Sequence, residues 1–190
     1  SGHFLLASGL HSDTYAQCAK VMEHPAEAEK LCRELAERWK GVGVDVVAGP
    51  AYGGILPAYE LARHIGVRAV YFERGQTSKF ELRRGFSVSG DRVVVAEDVI
   101  TAGGSAKEVV DLVKEMGGKV AGVSSFVYRG AGLRPAEAAG ASAAQAGKAF
   151  DEEYRYLLGL QPAQWKPAEC PLCKQGTTAV KPGTKPPCKA

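Results

Sequence analysis

Apolar positions along this chain follow two periods. In "HPAEAEKLCRELAERWKG", residues 24–41, Leu31, Cys32, Leu35 and Trp39 fall on one face of a helical projection, with Pro25 near the start and Gly41 after the end. That spacing predicts an amphipathic helix. "GILPAYELARHIG" and "SAKEVVDLVKEMGG" repeat it, the second with Val109, Val110, Val113 and Met116 ahead of a glycine stop. "VDVVAG" (44–49), "VRAVYF" (67–72), "RVVVAEDV" (92–99) and "KVAGVSSFVYR" (119–129) are short β-branched runs, each separated from the next by helical pattern or loop. They read as buried parallel strands. The alternation implies right-handed crossovers and an α/β sheet with helices on both faces.

Two stretches break the pattern. "ERGQTSKFELRRGFSVSGD" (73–91) is polar, basic and punctuated by glycine, and longer than most connections, which predicts a mobile loop or an extended hairpin. The tail "KPAECPLCKQGTTAVKPGTKPPCKA" is rich in Pro, Lys and Gly, and its last residues, 181–190, are expected to be poorly ordered.

At 190 residues, 45% hydrophobic and 24% charged, the chain suits one globular domain with small terminal additions. It contains nothing near the roughly 20 continuous apolar residues of a membrane helix, and its N-terminus lacks the regions of a signal peptide, so a soluble cytoplasmic protein is expected. It opens at Ser1 without a methionine, which leaves room for a natural segment before it. A formal net charge of +3 with Lys and Arg spread among acids does not point to nucleic acid. Five cysteines, an odd number, fit reduced thiols better than a disulfide framework.

The densest chemistry lies in "VVVAEDVITAGGS", residues 93–105. Ligands of open α/β sheets bind at the carboxyl ends of strands, and here a strand ends at Glu97-Asp98 before a loop that opens a helix. Thr101 and Ser105 offer hydroxyls, while Gly103 and Gly104 offer unhindered backbone N–H groups at a helix N-terminus, where the dipole favours anions. The loop suits a phosphate. The carboxylates just upstream would repel one, so they fit a neutral hydroxylated part of the same ligand, such as a ribose diol. A nucleoside triphosphatase also carries an apolar strand ending in acid, but the chain contains no G-x-x-x-x-G-K-[ST] loop.

The whole stretch, Glu97, Asp98, Val99, Ile100, Thr101, Ala102, Gly103, Gly104 and Ser105 included, resembles the 5-phosphoribosyl 1-pyrophosphate (PRPP) motif of the type I phosphoribosyltransferases. "GHFLLASGLHSDTY", "GPAYGGI", "LRRGF", "CPLC" and "VKPG" resemble the orotate-using branch of that family, over nearly the whole chain. The resemblance implies a doubly wound, mainly parallel sheet, a hood from about 1–24 and 150–180, and a Mg²⁺-dependent reaction of orotate with PRPP in a homodimer. It also implies that the 73–91 loop reaches the neighbouring subunit's site.

Displacing pyrophosphate from the anomeric carbon makes the ribose ring cationic and the leaving group anionic, so catalysis is electrostatic and positional. Glu97 and Asp98 are expected to orient the ribose hydroxyls and stabilise the ring. Tyr52 and Gly53 belong to a glycine turn whose N–H groups can approach a pyrophosphate. Arg74, Lys79, Arg83 and Arg84 are candidate cationic partners for it. Arg129 is the candidate for the orotate carboxylate, which a guanidinium can grip bidentately, and the resemblance places Thr101 beside the pyrimidine. Ser8, Gly9, His11, Ser12 and Tyr15 are candidate lid and donor residues over the base. Three positions depart from the branch's common pattern: Ala7 for Lys or Thr, Gly53 for Lys, and Tyr128 for the Asp before Arg129. Cys170 and Cys173 have the C-x-x-C spacing of half a tetrahedral zinc site. Only a fold bringing in Cys18 or Cys188 would complete it, so no protein-held metal is assigned and a structural or free-thiol role is favoured. Two rivals keep the PRPP site: a transferase for another base, because the fold does not choose the acceptor, and a regulator that binds PRPP without turnover.

Overall fold

A computed structural model describes residues 1–6, 8–129 and 150–182. Ala7, Cys188 and the last eight tail residues lie outside the described residues. In chain order the elements are β1 (Phe4–Leu5), β2 (His11–Ser12), α1 (Ala19–Met22), α2 (Pro25–Glu37), β3 (Val46–Pro50), α3 (Ile55–Ile65), β4 (Arg68–Arg74), β5 (Phe80–Leu82), β6 (Arg92–Ile100), α4 (Gly104–Glu115), β7 (Lys119–Tyr128), β8 (Tyr154–Gly159), β9 (Gln164–Trp165), a 3₁₀ turn (Pro167–Glu169) and α5 (Pro171–Lys174). They form two compact units, Gln17–Leu160 and a smaller one built from Ser1–Ala16 with Gln161–Ala190. Residues 17–24 and 150–160, read from sequence with the terminal segments, fall in the larger unit. There β8 extends the main sheet by pairing in parallel with β7.

The larger unit is a six-stranded sheet in the order β5-β4-β3-β6-β7-β8. Its pairs are parallel except β4–β5. The strands alternate between two helical layers because successive side chains point to opposite faces. Val46, Ala48, Val93, Val95 and Val123 share a core with Ala106, Val109, Val110 and Val113 of α4. On the opposite face Gly49 lies against Ala58 of α3, and Ser124 accepts a 3.1 Å bond from the indole N–H of Trp39, which follows α2. This is the doubly wound arrangement the sequence predicts. Met116, placed by spacing with the buried valines, is instead 38% exposed because α4 ends at Glu115. No helix among the described residues is long and apolar enough to cross a membrane.

The smaller unit is a three-stranded antiparallel ribbon, β1-β2-β9, followed by α5. Its strands are each two residues long, too short to leave a period in the sequence.

Candidate active site

Glu97 and Asp98 stand near the carboxyl end of β6, which sits centrally in the sheet. The strand runs two residues past them, because Val99 and Ile100 continue the ladder opposite Val127 and Tyr128. Both acids are half-buried. Burial, reinforced by the neighbouring charge of Asp98 and opposed by that of Arg74, pushes the Glu97 carboxyl up to about 7. Burial also raises Asp98, against the 2.7 Å bond that the Val99 N–H donates to Asp98 Oδ1. As consecutive residues of a strand the two carboxyls point to opposite faces, Glu97 toward Arg74 and Tyr154 and Asp98 toward Gly53, and each is poorly solvated, so ionising either has a cost.

The turn after β3 delivers backbone to the Asp98 side. Gly54 packs so tightly that a Cβ would lie 2.7 Å from Pro50 Cδ and 2.8 Å from the Ala96 carbonyl, so only glycine fits between β3 and β6. Gly53 faces Asp98: a Cβ there would sit 3.2 Å from Asp98 Oδ1. A lysine at that position would have its stem against the Asp98 carboxylate. Tyr52 is 89% exposed.

Beyond β6, Thr101 and Ala102 are exposed, and Gly103 caps α4 at φ 75°, with no side-chain cap bond to the helix. A Cβ on Gly103 would lie 2.8 Å from Phe150 Cζ, so both backbone and neighbour demand glycine. Gly104 has open space about it, and Ser105 is half-buried. The first N–H groups of α4 are left for a ligand, at the positive end of a 12-residue helix.

The 73–91 stretch is a short hairpin followed by a loop, with Arg74 opposite Phe80. It is anchored by buried Phe80 and Val88 and by Glu108 of α4, which accepts from the Phe80 N–H at 2.8 Å and from Arg74 at 3.2 Å. The sequence reading missed Glu108. Arg84 is held by Glu73 at 2.7 Å and Arg83 approaches Glu81 at 4.0 Å. Lys79 is exposed and, among the described residues, forms no ion pair. Of the four basic candidates, Arg74 is the one whose charge the structure brings to Glu97.

Arg129 follows β7 and donates its backbone N–H to the Ile100 carbonyl at 2.8 Å, so it lies beside the end of the acidic strand. Tyr128 faces away into the core, where its ring meets those of Tyr154 and Tyr156 at centroid distances of 5.3 and 5.5 Å. The departure at 128 thus fills a tyrosine cluster.

The N-terminal candidates lie in the smaller unit. His11 and Ser12 are buried; Ser12 donates to the Ala163 carbonyl at 2.9 Å, and His11 Nδ1 lies 2.9 Å from His3 Nε2. These side chains are engaged inside the smaller unit. Tyr15 packs on Phe4 at 5.8 Å, and Gly9 turns the hairpin at φ 80° with Ser8 exposed beside it. Cys170 and Cys173 are also here, and their companions are His3 and His11: the four ligand atoms lie within 4.8 Å of one another. Among the described residues the C-x-x-C pair is thus accompanied by two histidines, while Cys18 belongs to the larger unit.

Paired acids at the carboxyl edge of a doubly wound sheet, running directly into a glycine-led helix start, have the layout of a phosphoribosyltransferase, and the Phosphoribosyl transferase domain family matches residues 19–142. The chain is 49% identical over 185 residues to the orotate phosphoribosyltransferase of Caldanaerobacter subterraneus, covering 97% of this chain and 90% of that protein. It is 47% identical to that of Pelotomaculum thermopropionicum, with the same coverage. The chain belongs to the orotate phosphoribosyltransferase family. Its structure resembles Mycobacterium tuberculosis orotate phosphoribosyltransferase in complex with PRPP, at a TM-score of 0.61 and 30% identity over 82% of this chain and 85% of that one. It shares its fold equally with adenine phosphoribosyltransferase of Thermoanaerobacter pseudethanolicus, at a TM-score of 0.63 and 19% identity over 77% and 88% of the two chains.

Proposed function

We propose that this chain transfers the 5-phosphoribosyl group of PRPP to orotate, forming orotidine 5′-monophosphate and pyrophosphate in the de novo route to UMP. The observation that carries the reading is the continuity of Glu97-Asp98 with the open start of α4. One stretch of backbone can hold a ribose by its hydroxyls and its 5-phosphate by N–H groups. As the bond from C1′ to the pyrophosphate oxygen breaks and the bond to the orotate nitrogen forms, the ring passes through a cationic state. Two poorly solvated carboxyls gain most from that positive charge. In this reading Arg129, whose backbone is bonded to the end of the acidic strand, grips the orotate carboxylate, with Thr101 beside the ring.

The donor set suits Mg²⁺ held with substrate. Hard carboxylate oxygens are present, and burial makes both acids harder to ionise than usual, which a nearby cation reverses. When bound, Mg²⁺ neutralises the departing pyrophosphate through substrate oxygens and water. The chain's own cations then act around it. The ion pairs of Arg83 and Arg84 are exposed and therefore weak, so a pyrophosphate can recruit them together with Arg74 and Lys79. In a homodimer this hairpin would serve the neighbouring site. Exposed Tyr52, Leu56 and Tyr59, at 89%, 55% and 63%, give the start of α3 an apolar face that suits a two-fold contact. A cytoplasmic location fits the free thiols of Cys18 and Cys32.

The fold is shared with an adenine enzyme, so the base is the part to test. Orotate, uracil and adenine are each supplied with PRPP and Mg²⁺ and the products weighed by mass spectrometry. Orotidine 5′-monophosphate alone is expected; a purine or uracil nucleotide in greater yield would overturn the assignment.

A further inference from the structure

The smaller unit has almost no apolar interior. Among its described residues the buried ones are His3, His11, Ser12 and Cys170. A fold of this size without a hydrophobic core ordinarily needs a covalent or metal staple. We propose that His3, His11, Cys170 and Cys173 bind one structural zinc ion, which fastens the two ends of the chain to each other.

Geometry carries the case. His11 lies in β2, and the register pairs Leu5 with His11 and Phe4 with Ser12, so His3 and His11 are diagonal neighbours on one face of the ribbon. The C-x-x-C pair comes from the other end of the chain, Cys170 just before α5 and Cys173 within it. His3 Nε2 stands 3.4 Å from Cys170 Sγ and 3.8 Å from Cys173 Sγ, and His11 Nδ1 stands 3.3 Å from Cys173 Sγ. Zinc–nitrogen and zinc–sulfur bonds of about 2.0–2.1 and 2.3 Å make the edges of a tetrahedron roughly 3.3–3.8 Å long. These three nitrogen–sulfur separations match, all four ligand atoms lie within 4.8 Å of one another, and the 2.9 Å between the two histidine nitrogens needs only a small opening.

The surroundings of His3 fix the tautomer that such a site requires of it, while His11 Nδ1, 2.9 Å from His3 Nε2, gives up its proton when the metal binds. Thr177 Oγ1 donates to the Leu172 carbonyl at 2.8 Å, so in its 2.8 Å contact with His3 Nδ1 it accepts. The proton of His3 therefore sits on Nδ1, and the Nε2 lone pair points into the cluster. A metal-bound histidine is held in the same way, its second nitrogen donating to an outer partner that sets ring and tautomer. Two thiolates and two imidazoles in a tetrahedron select a borderline-soft divalent ion such as zinc. Four protein ligands leave no position for substrate, so the role is structural.

The test uses the full chain purified without added chelator. Metal analysis is expected to give one zinc per chain, and the Co²⁺-exchanged protein should show the absorption of a tetrahedral site with thiolate ligands. Cys173→Ser and His11→Ala should abolish retention, while Cys18→Ser keeps it. Because a ligand variant can lose its fold, Thr177→Val is the second test. It removes the outer hydrogen bond to His3 together with the hydroxyl's bond to the Leu172 carbonyl, leaves the backbone bond from the Thr177 N–H to that carbonyl, and should weaken zinc affinity about 10- to 100-fold. Absence of both zinc and the Co²⁺ spectrum, retention unchanged in Cys173→Ser, or a Cys170–Cys173 disulfide in protein kept under reducing conditions would each overturn the proposal.

Discussion

Replacing Glu97 by Gln should make the protein more stable at pH 8 and scarcely change it at pH 4.5. The Glu97 carboxyl is pushed from 4.5 to about 7, first by burial and then by Asp98, with Arg74 opposing. Its folded pKa is thus above its unfolded one, so the folded state binds more protons between those two values. The penalty for ionising Glu97 is absent below the unfolded value, grows as pH rises through the window, and is complete above the folded value. At about 1.4 kcal/mol per unit, the shift corresponds to roughly 3 kcal/mol. Gln keeps the shape and carries no charge, so the variant escapes that penalty. Urea unfolding of both proteins without ligand at pH 4.5, 6 and 8 measures the difference, and comparing them at each pH cancels other titrations. A gap near zero at pH 4.5 that widens to about 3 kcal/mol at pH 8 is expected, with loss of activity as the cost of removing a functional acid. A gap that stays constant with pH would refute the claim that burial strains this carboxyl.

Asp98→Asn should lower kcat far more than it raises the KM for PRPP, because its charge matters most when the ribose is cationic; steady-state kinetics decides, and unchanged kcat with a large rise in KM would remove the role. Arg129→Ala should weaken orotate at least 10-fold and leave PRPP affinity nearly intact, a contrast that calorimetry of each substrate reads directly. A triple Lys79, Arg83 and Arg84 to Ala protein and a Glu97→Gln, Asp98→Asn protein should each be nearly inactive. After subunit exchange verified by mass, activity should partly return, and activity fixed at the sum of the parents would confine the hairpin to its own subunit.

The sheet was legible because its central strands are long β-branched runs between helices with a clear apolar face. Strand β8 was not, because Tyr154 and Tyr156 alternate with polar Arg155 over only six residues, a period that also suits a surface loop. The acids and the glycine-led loop could be read from one contiguous stretch, where residue order carries the chemistry. The four-ligand cluster could not, because its two halves are separated by nearly the whole chain and only the cysteine half has a recognisable spacing. The Tyr128 and Gly53 departures became intelligible only with neighbours in view: Tyr128 completes a ring cluster whose Tyr154 adjoins Glu97, and Gly53 lies against the Asp98 carboxylate.

Orotate consumption tests the central claim most directly. Absorbance of orotate is followed after adding the protein to orotate and PRPP, with and without Mg²⁺. The account predicts a decline that needs protein, PRPP and Mg²⁺ together and yields one pyrophosphate for each orotate lost. Orotate left intact by folded protein that binds PRPP would contradict it and leave the chain a binder of PRPP without turnover.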